Sequence, residues 1–476
     1  MDSAARLAEL AAGAGEDADA HVAIVDETAT AHARWAGGTL TSSGLTADTR
    51  LTVIAVAAGA RGTAAGVVSR RGAVDEAAVR AVVAAAGRAA RTAAPAPDAR
   101  PLPSGDAVPS SPDWGEAAPP PPAEVLAPFA AGLAATFERA RAEGRLLYGY
   151  AEQRRHTTRL ASSTGLRLRH VQDTGLVDLT ARTGDGAAST WGGTGAAALG
   201  EIDPLAVYAR MGERLDRARR RVELPAGRYE VLLSPSCVAD LMLRLYRAAG
   251  AKDAAGGRTV FRGPDGGTRL GERLTGAPLT LRSDPHEPGL RCAPFVAARG
   301  SADVAQVFAD TVSVFDNGLP LAPADWIRDG VLTGLVQTRH SAGLTGLPVT
   351  PQVGNLVLEG PGETRSAGPS LAEMVATTRR GLLVTSLWYV RDVDPRTLLL
   401  TGLTRDGVHL VEDGEVVGEA NNFRFNESPV DLLARVTEIG RTERTLPRER
   451  DDSTPRTAMP ALRVADFTMS AVSEAT

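Results

Sequence analysis

Lysine is almost missing from this chain: Lys252 is the only one in 476 residues. Cysteine is nearly as scarce, with Cys237 and Cys292 alone, and aromatic side chains make up 4%. Each scarcity excludes something. Two cysteines cannot build a disulfide framework, nor can they by themselves fill a four-ligand zinc site. A phosphate-binding P-loop needs a lysine after its glycines, and Lys252, between Ala251 and Asp253, has no such setting. So few aromatics leave little for base stacking. The 52 basic and 57 acidic residues give a charge of −5 rather than the net-basic balance that phosphate backbones attract, so nucleic acid is not an expected partner. No apolar run reaches the roughly 20 residues of a bilayer span. Met1 to Arg6 also lacks the basic-then-apolar order of a signal peptide. A soluble, cytoplasmic protein with no membrane partner is therefore expected. Nearly all the positive charge is arginine, which, with the abundant alanine and glycine, reads as high-GC coding bias.

Familiar catalytic patterns are missing too. No G-x-S-x-G nucleophile elbow occurs, and no G-x-G-x-x-G lies between a clear strand and helix. His286-Glu287 begins like a zinc helix, in which two histidines on one face bind the metal and the glutamate activates water. Leu290 and Arg291 stand where the second histidine would be needed, and Pro285 and Pro288 make the segment a turn. His21, His32, His156, His170, His340 and His409 are scattered singly, and no two carboxylates stand out as a catalytic pair. Cys237 and Cys292 read as small apolar fillers. Lys252, in Ala251 to Gly257, reads as part of a solvated loop and not as a Schiff-base lysine. The sequence thus assigns no catalytic, metal-binding or cofactor-binding residue, and none to a substrate groove.

What is present is a mixture of helices and strands. Ala4, Ala5, Leu7, Ala8 and Leu10 have helical spacing, and Asp75–Ala94 predicts a long helix with acids at its N-terminal end. His21–Asp26 and Leu51–Ala58 read as strands. Residues 95–122 hold 10 of the 30 prolines and predict an extended surface connection. A helix over Ala123–Glu143 precedes short strands at Leu146–Glu152, Thr157–Ser162, Leu166–Asp173 and Leu176–Arg182, with turns at Ser163-Thr164-Gly165 and Asp173-Thr174-Gly175. The helix Asp203–Arg220 ends in the basic run Arg217–Arg221, which suits the negative pole of its dipole better than a nucleic-acid patch. A boundary is expected near Pro225-Ala226-Gly227. Beyond it, Tyr229–Leu233 predicts a strand, and Ser234-Pro235 opens a helix to about Ala249. Short strands follow between Gly271 and Glu359. A capping box at Ser370–Glu373 opens a helix ending at Gly381, and Ser428-Pro429 opens one closing at Gly440. Leu382–Val390 and Val408–Val417 read as strands, the latter turning at Asp413-Gly414. Residues 441–476 are polar, with an arginine-heavy stretch at 441–450, and then apolar around Leu462–Phe467. Without regular βαβ alternation the fold class is α+β. It divides into an N-terminal helix-and-strand domain (1–222, interrupted at 95–122) and a strand-rich C-terminal domain (223–470) with a curved, barrel-like sheet.

The second half carries a series of short motifs in a fixed order. They are Phe315-Asp316-Asn317-Gly318-Leu319-Pro320, Arg328-Asp329-Gly330-Val331-Leu332, His340-Ser341-Ala342-Gly343-Leu344-Thr345-Gly346, and Gly354-Asn355-Leu356-Val357-Leu358-Glu359-Gly360. Arg380-Gly381-Leu382-Leu383-Val384-Thr385, Thr401-Gly402 and Val411-Glu412-Asp413-Gly414-Glu415-Val416-Val417 complete the series. Singly these are glycine turns beside strands; their order and spacing resemble the TldD/PmbA family, the so-called modulators of DNA gyrase, and its PmbA (TldE) branch more than its TldD branch. The first half matches only as a pattern of elements.

The resemblance implies a heterodimeric metallopeptidase that cleaves unfolded or leader peptides in a chamber between subunits. In that family a TldD-like chain holds zinc through an H-E-x-x-x-H helix and a later cysteine, and the PmbA-like chain holds no metal. The helix predicted from Ser234 to Arg247 contains Cys237 and Asp240 but no histidine or glutamate. The chain is accordingly expected to bind no cofactor itself, to be inactive alone, and to complete the chamber for a zinc-bearing TldD-like partner and its peptide substrate. A stand-alone homodimeric peptide- or protein-binding protein is the alternative. The proline-rich segment and the arginine-heavy stretch have no counterpart in the family pattern.

Overall fold

A computed structural model describes residues 3–13, 15, 18–117, 125–217, 220–300, 311–362, 367–449 and 456–473. Pro119–Pro122, the start of the helix expected from Ala123, Ala218 and Arg219 of the expected helix Asp203–Arg220, and Arg450 of the arginine-heavy stretch lie outside the described residues.

The first half is a six-stranded antiparallel sheet in the order β3-β2-β1-β4-β5-β6. Its strands are β1 (Ala20–Ala36), β2 (Thr39–Gly59), β3 (Gly62–Arg71), β4 (Arg145–Ser162), β5 (Arg167–Thr183) and β6 (Ser189–Ala196). Alternation along β1 decides what covers each face. Ala23 and Val25 point to a layer made by α1 (Ser3–Gly13) and α2 (Glu76–Thr92), meeting Ala8, Val79 and Val83. Further along the sheet, α3 (Leu126–Ala142) and α4 (Pro204–Arg217) bury Phe129, Leu133, Tyr208 and Met211 against Trp35, Leu147 and Leu179. Val22 and Ile24 point the other way and, with Ile54, Leu160 and Leu168, pack on Phe295, Val314 and Phe315 from the second half of the chain.

Three expectations for this half are corrected. The segment 95–117 has no regular element, yet it is not a loose surface connection: Ala96, Ala99, Leu102 and Val108 pack on the cluster around Ile24. It is also tied along its length, by Gly105 N–H to Thr164 O (2.9 Å), Ser111 N–H to Arg167 O (2.8 Å) and Arg159 to Glu116 O (2.6 Å). Asp173-Thr174-Gly175 is not a turn but mid-strand in β5, paired straight through to Arg155-Arg154-Gln153 of β4. Arg155 and Asp173 bridge the two strands at 2.7 Å, and a Cβ on Gly175 would stand 2.4 Å from the Leu199 nitrogen, so the glycine answers to packing. Likewise Leu146–Glu152 and Thr157–Ser162 are one strand. At Ser163-Thr164-Gly165 the expected turn is present, with Gly165 at φ +97.

The second half builds a fourteen-stranded sheet. Its strands are β7 (Arg221–Val222), β8 (Gly227–Leu233), β9 (Thr280–Ser283), β10 (Ala324–Arg328), β11 (Val331–Leu332), β12 (Asn355–Glu359), β13 (Arg380–Val384), β14 (Leu387–Asp394), β15 (Leu399–Thr404), β16 (Val408–Glu412), β17 (Glu415–Ala420), β18 (Phe423–Glu427), β19 (Val436–Thr445) and β20 (Arg456–Val472). The main path runs β11-β10-β9-β12-β20-β8-β13-β16-β17-β7, with β14, β15, β18 and β19 branching from it. Both ends of the path are open, so the sheet is not a closed barrel. The short helices α6 (Ala251–Ala255), α7 (Arg339–Thr345), α8 (Leu371–Ala376) and α9 (Pro429–Leu433) surround it, and α5 (Pro235–Arg247) lies on it. Ser234 caps α5 as expected, and Val238, Leu241, Met242 and Leu245 are all buried with Val231, Leu382 and Leu462.

Strand formation overrides helix signals at two places. The Ser370–Glu373 capping box is formed, but α8 ends at Ala376 and Gly381 already belongs to β13, where it lies against Glu230 O of β8. The helix opened by Pro429 stops at Leu433, because Val436, Thr437 and Ile439 begin β19 and pair with β20. The polar tail, expected to have only a short apolar end, instead contributes β20, 17 residues that pair with β8, β12, β18 and β19. At Asp413-Gly414 the expected turn is present, with φ +49 and +83.

A buried ion pair helps to join the halves. Arg299 grips Asp26 of β1 in a fork, Nε to Oδ2 and Nη2 to Oδ1, both 2.5 Å, while Thr158 donates to Oδ1 at 2.9 Å. Burial alone would push the Asp26 carboxyl up, but the hydrogen bonds and charges of Arg299 and His156 outweigh it and hold the group well below the usual carboxylate range. A depressed folded-state pKa contributes stability at neutral pH that is lost as pH falls below about 4, where the unfolded carboxylate protonates first. Asp26→Asn is expected to lower unfolding stability at pH 7 by about 2–3 kcal/mol, below the ~3–5 of a fully buried pair because Arg299 is partly exposed. Urea denaturation at pH 7 and pH 3 checks it: the difference between variant and wild type should shrink at the lower pH.

Candidate functional site

The helix that the family resemblance singles out, α5, is held by its first turn. Ser234 Oγ accepts from Cys237 N–H and donates to Thr385 O at 2.9 Å, fixing the helix to the end of β13. Cys237 is completely buried, its thiol donating to Val384 O at 3.4 Å, and burial pushes its pKa up to about 12. A thiol so placed is neither a thiolate nucleophile nor a ready metal ligand. One turn on, Asp240 is 3% exposed, its Oδ1 accepting from Glu449 N–H at 2.9 Å, while Oδ2 has no partner among the described residues. Burial, helped by the nearby Glu449 carboxylate, pushes Asp240 up to about 8, so it is protonated at neutral pH.

Around this turn, residues remote in sequence assemble a polar knot. Arg448 lies between the rings of Trp388 (4.7 Å) and Trp191 (5.6 Å) and donates to Asp406 and Ser386. Asp406 also accepts from Ser189 of β6, so the knot ties the first sheet to the second. The next residue, Glu449, takes the N–H groups of Tyr389 (2.9 Å) and Val390 (3.1 Å) on its carboxylate. Those two belong to β14, which among the described strands pairs only with β15. β14 exposes Trp388, Tyr389 and Val393, and Tyr389 sits at φ +56, a strained backbone for an aromatic residue. An apolar, partly unpaired edge of this kind can take an added extended strand.

The arrangement does not fit zinc. Among the described residues no three His, Cys, Asp or Glu side chains are grouped to hold a metal ion. Cys237 and Asp240 point into closed packing, and α5 carries no imidazole. His286 lies in a turn, its N–H on Asp284 Oδ1 (2.8 Å), with Glu287 paired to Arg282 at 2.5 Å. His409 is buried in β16, both ring nitrogens without a hydrogen-bond partner among the described residues, and burial with Arg214 and Arg217 nearby drives it down to about 4. Cys292 is buried elsewhere, its thiol pushed up to about 11. Lys252 lies on α6 rather than in a solvated loop. The sequence reading named Cys237 but missed Asp240, Arg448, Asp406 and Glu449 as a unit; a lone aspartate amid the apolar positions of α5 was the available signal.

Asp240 gives a testable pH signature. A folded-state pKa raised above the unfolded value of roughly 3.9 costs stability increasingly as pH climbs from about 4 to about 8, because only the unfolded chain gains from ionising. Asn at this position keeps the Oδ1 acceptor and removes that cost. Asp240→Asn is expected to match wild type near pH 4 and to exceed it in urea midpoint at pH 8; equal midpoints at pH 8 would mean the carboxyl is not held neutral.

No curated protein sequence matches the chain. Solved structures do match across nearly all of it. The structure of TldE from Thermococcus kodakarensis superposes with a TM-score of 0.76 at 16% identity, covering 97% of this chain and 98% of that one. A protein described as a modulator of a DNA gyrase from Thermotoga maritima gives 0.72 at 16% identity, covering 97% and 98%. A protein likewise described as a modulator of DNA gyrase, from Bacteroides thetaiotaomicron, gives 0.69 at 14% identity, covering 98% and 99%. At such identities the likeness is one of fold. The sequence itself matches the family model of the PmbA/TldA metallopeptidase C-terminal domain over residues 226–471, from the turn before β8 to the end of β20. That is more than half of its length, and the chain belongs to the PmbA/TldD family.

Proposed function

We propose that this chain is the metal-free subunit of a heterodimeric peptidase of the PmbA/TldD type, of the PmbA/TldE branch. It would complete the chamber for a zinc-bearing TldD-like subunit that cleaves unfolded or leader peptides. The observation that carries the reading is α5: at the helix where the resemblance leads one to seek H-E-x-x-x-H, this chain has an apolar stripe, a buried thiol and a neutral aspartate. Activating water for peptide hydrolysis needs a metal or a general base in contact with solvent, and neither Cys237 nor Asp240 can serve. The structural likeness to a protein named TldE supports the branch.

In this reading the chain contributes binding and shape. The edge of β14 from Arg391 to Asp394 would add an extended peptide by main-chain hydrogen bonds, a mode indifferent to side-chain sequence, with Trp388 and Tyr389 beside it as apolar contacts. Glu449 already occupies two N–H groups of that strand and so fixes where pairing could begin.

The test compares zinc content and peptidase activity of the chain alone with those of the chain co-purified with a homologue carrying H-E-x-x-x-H. Metal and hydrolysis of an unfolded casein substrate are expected only in the mixed complex. Stoichiometric zinc with hydrolysis in the lone chain would overturn the proposal. Failure to form any complex would leave the homodimeric binding protein as the better account.

A further inference from the structure

Along one margin of the first sheet, a long stretch of strand edge faces solvent. β2 runs from Thr39 to Gly59, but β3 pairs only with its second half, Arg50–Gly59. On that side Thr39–Asp48 has no strand partner among the described residues, and every residue in it is exposed except the half-buried Gly44. Pairing with β1 on the other side holds the segment extended. Thr49 O accepts from Gly72 N–H at 2.9 Å, which fixes the phase of the edge. Successive residues of an antiparallel strand face alternate neighbours, so the N–H and C=O of Ser43, Leu45 and Ala47 aim outward.

The side chains of this edge are as open as its backbone. Leu40 is 50% exposed and Leu45 57%. A bulge at Arg34-Trp35 sets Leu40 opposite Trp35 while Leu45 opposes Ala31, so both leucines stand on one face. Natural sheets guard an edge with charge, proline or short length, because free N–H and C=O groups recruit other strands. Other margins of this molecule carry those guards. β7 and β11 are two residues long. β14 bears Arg391, Asp392 and Asp394, and Glu449 already takes two of its N–H groups. Thr39–Ala47 has neither charge nor proline, and Asp48 is the first ionised side chain.

We propose that this edge is an interface for a second copy of the chain, whose own Thr41–Asp48 pairs with it antiparallel and joins two first sheets into one across a two-fold axis. Identical edges satisfy such an axis, because the outward N–H and C=O groups of one segment meet those of the other. Charge selects the direction. Antiparallel pairing sends the two Asp48 carboxylates to opposite ends of the ladder, whereas parallel pairing would set them side by side at a cost. The axis also keeps the leucines of both copies on one face of the joined sheet. A ladder this short buries less than the roughly 1,600 Å² of a standard interface, so micromolar association is expected. The inference does not rest on the peptidase reading, since the edge shares no residue with α5 or the polar knot.

The experiment is sedimentation velocity of the purified full chain from about 1 to about 200 µM, a range that brackets micromolar affinity. Mass is expected to climb with concentration from 49.5 kDa towards twice that value. Ala47→Pro deletes an outward N–H while sparing the ladder to β1, and Leu45→Lys installs the missing charge. Each is expected to weaken dimerisation by about tenfold or more without lowering the melting temperature by more than a few degrees. Leu344→Lys, at a leucine of α7 that is 61% exposed, is expected to dimerise like wild type. The proposal is overturned if the wild-type chain stays monomeric over the whole range. It is also overturned if the folded Leu45→Lys and Ala47→Pro chains dimerise like wild type, or if Leu344→Lys loses the dimer to the same extent. A monomeric wild type whose capture of a homologue carrying H-E-x-x-x-H is abolished by the same substitutions would overturn it too, and would give the edge to the heterodimer.

Discussion

A buried strand must find hydrogen-bond partners for every backbone group it takes from water, and in this molecule one strand meets that demand for much of the second half. β20 pairs with β8 and β12 on the main path of the sheet and with β18 and β19 where it branches. To serve four neighbours it bends, with register shifts against β18, β19 and β8 and with Asp466 at φ +53. The placement of α5 follows from it, because the helix buries its apolar stripe against Leu462 and the residues of β8 and β13 beside it. The polar knot at the first turns of α5 then has a rigid backing, and β14 is left at the margin of the sheet.

Local chemistry was legible in the sequence. Asp75 caps α2, Ser234 caps α5, and Ser370 with Glu373 forms the capping box of α8, each a short-range signal with its own hydrogen bond. Turns that need φ > 0, at Gly165 and Gly414, were equally plain. The order of glycine motifs identified the family. What failed was extent. β1 and β2 run 17 and 21 residues, but the Ser-, Thr- and Gly-rich distal part of that hairpin has no alternating apolar pattern to mark it. Asp173-Thr174-Gly175 has the composition of a turn and is held straight by β4. Val436–Gly440 follows a genuine helix start and is drawn into β19 by β20. In each case a neighbour distant in the chain overrode the local preference.

The candidate site was less legible than the fold for the same reason. Its members reach α5 from Trp191, Asp406 and the stretch Arg448-Glu449, and no spacing rule connects such positions. The sequence could show which side chains α5 lacks. It could not show that burial makes Asp240 neutral and Cys237 inert, because both shifts come from what surrounds them.

The packing of the first sheet on Phe295, Val314 and Phe315 has a consequence during synthesis. All six strands of that sheet have been made by residue 196, yet the face carrying Val22, Ile24, Ile54 and Leu160 is completed by side chains encoded roughly 120 positions later. At ~5–20 residues per second a ribosome needs about 6–24 s to deliver them. For that interval the nascent sheet shows an uncovered apolar surface, shielded only in part by the proline-rich segment that lies across it. Synonymous codon choice between residues 196 and 315 therefore sets how long this face stays uncovered during synthesis.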